Sequence, residues 1–64
     1  MTAFDAFQEA TCEIGEGNRA VAFCLLTAAI KRIDRDGVDA FIRPDLVALR
    51  NAVAANMPLQ GSAA

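Results

Sequence analysis

The sequence contains no histidine, no tryptophan and no tyrosine. Without histidine the chain lacks the side chain that most often moves protons near neutral pH, and the commonest metal ligand. There are only two cysteines, Cys12 and Cys24, and they form no CxxC pair. Two separated thiols cannot build a tetrahedral metal site alone, and a disulfide framework of a small secreted domain needs four or six. Both lie in segments that read as helix, so reduced thiols are expected. A nucleophilic cysteine needs a neighbouring base or a helix N-terminus, and neither position offers one. No apolar run approaches the 18 or so residues of a membrane span. A secretory leader is also missing from the reading: Asp5 interrupts the start, and no cation precedes Arg19. The glycines form neither a P-loop nor a GxGxxG turn. These absences exclude most enzyme classes, and the expectation is a soluble, cytoplasmic, non-enzymatic chain with no cofactor, no metal and no membrane.

What is present is apolar. Hydrophobic residues make up 55% of a 64-residue chain, and the mean hydropathy is +0.30. A domain this short buries only about 60% of the surface its unfolded chain exposes. Small domains compensate with disulfides, metals or partner chains, and the first two are already set aside. A partner chain remains, and the sequence is read as a homo-oligomer with a further protein partner.

The formal net charge is −2 and the pI about 4.7, which argues against phosphate-neutralising contacts with nucleic acid. Residues 1–18 carry Asp5, Glu9, Glu13 and Glu16 and no cation, whereas residues 19–64 sum to +2.

The periodicity predicts three helices in one domain spanning 1–57, with a flexible tail over 58–64. The first covers about residues 3–14. Thr2 can cap it with Asp5 three residues on, a near match to the Ser/Thr-x-x-Glu box. Phe4, Phe7, Thr11 and Ile14 fall on one stripe and the acids on the other. The GEGN stretch, Gly15 to Asn18, breaks the pattern: Gly15 suits a left-handed cap and Asn18 or Gly17 the next N-cap. So short a connection favours antiparallel neighbours, with the acidic face running back beside Lys31, Arg32 and Arg35.

The second helix, about residues 19–35, carries two apolar stripes. Phe23, Leu26, Ile30 and Ile33 make the main one, flanked by Ala22 and Ala29. Val21, Cys24, Leu25 and Ala28 make another on the opposite side, which past residue 30 gives way to Lys31, Arg32 and Arg35. Either the third helix or a second molecule must cover it.

Asp36-Gly37 ends this helix; continuing through Gly37 would cost about 1 kcal/mol. Val38, Phe41 and Ile42 are expected to tuck one turn into the core, and Arg43, preceding a proline, to be extended. Pro44 and Asp45 open the third helix, about residues 44–56. Leu46, Leu49, Val53 and Met57 share one arc, and Ala48, Ala52 and Ala55 make a smooth second face.

The fold class is therefore all-α, a helical hairpin plus a third helix, assembling as a homo-oligomeric bundle with the second helix central. The expected oligomer or partner interface is Val21, Cys24, Leu25 and Ala28 with Leu46, Leu49 and Val53. The expected function is a small regulatory interaction protein of bacterial or phage type. The alternative is an oligomeric binder of a small anion such as a nucleotide, held at helix N-termini around Asn18 and Arg19. Two further patterns fail on inspection. A calcium loop starting at Asp34 would place Asp39 where glycine is required. A helix-turn-helix reader would have seven residues in place of its short turn, and only Arg50, Asn51 and Asn56 to present.

Overall fold

The computed structural model describes residues 2–56, and the predicted tail, together with Met57, lies outside them. Three α-helices form: α1 (Ala3–Gly15), α2 (Arg19–Asp36) and α3 (Arg43–Asn56), with a single 3-10 turn at Ala40–Ile42 leading into α3. No strand occurs among the described residues. The all-helical reading stands, with α2 as the element on which both α1 and α3 pack.

α1 begins with a complete capping box. The Asp5 amide donates to Thr2 Oγ1 at 3.1 Å and the Thr2 amide to Asp5 Oδ2 at 3.2 Å. Aspartate thus closes a motif usually made with Glu or Gln. The helix ends in a Schellman motif: the Gly17 amide reaches Ile14 O at 3.0 Å and the Asn18 amide reaches Glu13 O at 2.7 Å. The residue at positive φ is Gly17, at +85°. Gly15, expected there, is the last residue of α1, because the extra hydrogen bonds carry the helix one residue further before it reverses.

The buried face of α1 is Ala3, Ala6 and Ala10, with Phe7 and Ile14 partly covered at its margin. The predicted stripe was centred on the bulky residues. At 100° per residue the alanine face is turned from it by roughly 90°. The cause lies in α2, whose main stripe of Leu26, Ile30 and Ile33 is bulky and fully inward. Opposite such a ridge, small side chains let the helices approach, and the large ones wedge in at the sides. Phe4 is left 50% exposed and Thr11 is solvated. The Thr11 hydroxyl donates back to Phe7 O at 2.8 Å.

α2 stops at Gly37, whose φ of +74° and N–H bond to Ile33 O at 2.7 Å make a left-handed cap as expected. Asp39 follows at φ +61°, a conformation aspartate tolerates better than most residues. That kink decides what the next turn presents. Ile42 enters the core, but Val38 is 55% and Phe41 70% exposed, so only one of the three expected residues is buried. Arg43 is also not extended. It sits at φ −54°, ψ −44°, and its amide bonds to Ala40 O. The 3-10 turn therefore runs straight into α3. Pro44 occupies the first turn, where its missing N–H leaves nothing unpaired. The helical setting of Arg43 is also held by its side chain: Nε donates to Asp34 Oδ1 at 2.7 Å and Nη2 to Asp34 Oδ2 at 3.2 Å. This two-pronged pair joins the end of α2 to the start of α3.

The core gathers along α2. Leu26 and Leu46 are its largest fully buried side chains. Of the ten buried hydrophobic residues among those described, four are alanines: Ala3, Ala6, Ala10 and Ala22. The interior is thin for this reason, and the stability of a lone copy is correspondingly small.

Candidate functional site

α2 must divide its circumference between a core side and an outer side. Leu26, Ile30 and Ile33 take the core side. Val21 lies about 140° from Leu26 on the helical wheel and is 48% exposed. Cys24 and Ala28 are exposed, and Leu25 is half-buried against the edge of the core. Among the described residues the second stripe is thus left open at Val21, Cys24 and Ala28, with Leu25 half-covered. Leu25 and Ala28 share a cleft of about 160 Å³ with Ala3 and Ala6 of α1 and with Val38. On the other side of the stripe, Cys24 and Ala28 border a shallow depression with Phe23, Thr27 and Lys31.

The α3 residues assigned to the same interface are placed elsewhere. Leu46 and Val53 are buried in this chain's own core, and Leu49 is packed against it. Leu46 and Val53 therefore hold the fold and present no surface, and Leu49 is half-covered at the margin of the core. The outward face of α3 is the alanine face, with Ala48, Ala52 and Ala55 all exposed.

Sequence reasoning missed one feature. The rings of Phe4 and Phe41 lie 5.7 Å apart, inclined at 51°, with both side chains open to solvent. A tilted aromatic pair at this separation is attractive. It ties the start of α1 to the 3-10 turn and displays apolar surface beside the exposed Val38. Nothing in the periodicity reveals this, because the pairing depends on the left-handed Asp39 turning Phe41 outward.

At the α1–α2 turn, Asn18 stands at the N-cap position but makes no capping bond. Its Nδ2 donates instead to Glu13 Oε2 at 3.2 Å. Glu13, bonded to Asn18, and the exposed Glu16 precede the exposed Arg19 in this turn. A carboxylate held at this position competes with any anion approaching the first-turn amides.

Four ionisable groups elsewhere form two ion pairs. The Arg43 hydrogen bond holds the Asp34 carboxyl below its ordinary value, and Asp34 in turn raises the Arg43 guanidinium. Arg35 pairs with Asp36 at 3.3 Å on its own helix. Two carboxylates of the supposed calcium loop thus face cations. Among the described residues, no three His, Cys, Asp or Glu side chains converge as metal ligands. Both cysteines are unpaired and exposed. The hydroxyl oxygen of half-buried Thr27 is shielded from solvent and has no hydrogen-bond partner. No helix among the described residues is long and apolar enough to cross a membrane.

Comparison with protein-family models, curated proteins and solved structures gives no match to this chain.

Proposed function

We propose that this protein is a small, non-enzymatic interaction protein of regulatory type, acting in the cytoplasm through exposed helix faces as a homo-oligomer. The observation that carries the reading is the stripe of α2 that the described residues leave open at Val21, Cys24 and Ala28, with Leu25 half-covered beside them. It is supported by the thin, alanine-rich core, which leaves a lone copy little apolar burial. The exposed Phe4–Phe41 pair adds a second apolar surface at the end of the cleft, of the aromatic kind that anchors protein contacts. The absence of histidine from the sequence supports contact surface over catalysis as the role of these side chains.

The test has two arms. Light scattering with refractive-index detection across a dilution series measures molar mass; absorbance at 280 nm is useless without Trp or Tyr. A photo-crosslinking residue placed at Ala28 or Phe41 then reports neighbours in host cells, with Leu26 as the buried control. Molar mass above 6.8 kDa with adducts at 28 or 41 is expected. A strict monomer at every concentration, with no adduct from either surface, refutes the reading.

The anion-binding alternative at Asn18 and Arg19 is weaker, because Asn18 engages Glu13 and leaves a carboxylate at the mouth of the site. It requires an anion that raises the melting temperature of the wild type and not of Arg19→Ala.

A further inference from the structure

The cleft between α1 and α2 opens on the side of α2 away from α3. Leu25, Ala28 and Ala29 line it from α2, and Ala3 and Ala6 from α1. Asp34, which Arg43 of α3 grips, lies about 180° round the helical wheel from Leu25. On α1 the wheel divides at Ala6. Ala10, Ala3, Ile14 and Phe7 follow on one side of it, and beyond them comes Phe4, which meets Phe41 in the turn leading into α3. On the other side stand Glu13, about 20° from Ala6, and Glu9, about 60° from it. With the phenylalanine flank turned toward α3, the glutamate flank borders the cleft and extends its α1 wall. The heights agree as well. Glu13 lies about 10 Å beyond Ala6 along the axis, and its bond from Asn18 sets it beside the start of α2. Among the described residues Glu9 and Glu13 take no part in an ion pair. The groove is therefore apolar over the cleft and acidic beyond it, where α1 passes the first half of α2. At its opposite end Arg32 and Asp39 both border the cleft and offset one another in charge.

We propose that this groove docks a basic amphipathic helix of another protein. The partner sets an apolar side chain into the cleft and, roughly two turns along, a lysine or arginine against Glu9 and Glu13. The inference rests on the interaction-protein reading above and names the chemistry of the partner. Charge selects it, because an acidic wall beside an apolar floor favours cations flanking an apolar stripe and repels acids. A second copy of this chain lacks a matching row. Its nearest candidate is Lys31 with Arg35, one turn apart on α2, and Arg35 is already paired with Asp36. A helix fits the shape for two reasons. Both walls are helices whose backbone groups are bonded internally, so no strand edge is offered. The small side chains of Ala28 and Ala29 let a further helix axis approach closely.

The probe is a synthetic, fluorescein-labelled helical peptide with leucines at three- and four-residue spacing and lysines flanking that stripe. Binding to the full chain is followed by fluorescence anisotropy, and the contact is mapped by methyl NMR signals. Saturable binding is expected, with shifts at Leu25 and Ala28 and none at Ala48 or Ala52 on the outward face of α3. Replacing the peptide's lysines by glutamate, or its leucines by alanine, should raise the Kd about tenfold or more. Glu9→Lys and Ala28→Lys should each raise it about fivefold to tenfold for the lysine peptide. Asp45→Lys, the same change of charge as Glu9→Lys but in the first turn of α3, should leave it within about twofold. All three positions are exposed, and each variant is verified as helical by circular dichroism. Equal weakening by Glu9→Lys and Asp45→Lys reveals attraction to net charge alone and overturns the docking site. No saturable binding, with oligomer present by light scattering, also overturns it and leaves the general reading standing. If Ala28→Lys then dissociates that oligomer, the groove belongs to a second copy.

Discussion

Two positions on α2, on nearly opposite sides of one helix, give the sharpest test of how this molecule is held together. Leu26 has no exposed surface, and truncation to alanine leaves a cavity that the neighbouring helices can only partly close. Such a change costs about 2–5 kcal/mol. A domain of this length has a total stability of roughly 3–10 kcal/mol, so Leu26→Ala removes a large part of it. With about 4–8 °C per kcal/mol at this size, the melting temperature falls by about 10–30 °C. Val21 is 48% exposed. Its two methyl groups would be worth about 1.6 kcal/mol if fully buried, hence about 0.8 kcal/mol here. Alanine regains about 0.5 kcal/mol of helix propensity over valine. Within a single copy the net change from Val21→Ala is then close to zero. Under the proposed homo-oligomer it is not, because each copy would lose a contact across the interface. Thermal melts followed by circular dichroism at several protein concentrations separate the two cases. Leu26→Ala should be severely destabilised at every concentration, whereas Val21→Ala should approach wild type on dilution and fall behind it as concentration rises. Equal losses for the two variants in dilute solution would refute the division of α2 into an inner and an outer side.

Four further outcomes follow from local geometry. Gly17→Ala should destabilise by about 1–2 kcal/mol in urea titrations, since its φ of +85° is strained for any residue with a Cβ, while Gly15→Ala, helical and with open space around it, should gain about 0.5–1 kcal/mol. The depressed Asp34 carboxyl contributes stability that is fully present above its unfolded-state value and is lost as pH falls through its lower folded-state value; the urea midpoint of Asp34→Asn should therefore show a shallower acid decline than that of the wild type, and identical profiles would show that the Arg43 pair does not contribute. Thr27→Val removes a shielded hydroxyl that has no partner while keeping the branched shape, and should stabilise by about 1 kcal/mol in the same titration.

Local chemistry made much of the fold legible in advance. The Thr2–Asp5 cap, Gly37 at the end of α2 and Pro44 in the first turn of α3 are read from residues whose preference acts over a few bonds, and the structure has all three. The main stripe of α2 was legible for a similar reason: Leu26, Ile30 and Ile33 repeat at helical spacing and face inward. The connection after α2 was not. A residue before proline tends to be extended, but Arg43 is helical because the hydrogen bonds of the 3-10 turn and the grip on Asp34 outweigh that tendency.

What the amino-acid order determined by itself is the number of helices, their limits to within a residue or so, and the presence of a second apolar stripe on α2. Only tertiary packing decided which side of each helix is covered. α1 presents its alanines because α2 is bulky where the two meet, so Phe4 faces outward to meet Phe41. α3 directs Leu46 and Val53 into its own core, leaving the Val21–Ala28 stripe open at Val21, Cys24 and Ala28. Periodicity specifies a stripe's direction only relative to its own helix axis. The rotation of one helix against another is set by how large and small side chains interlock between them, and that depends on residues far apart in the chain.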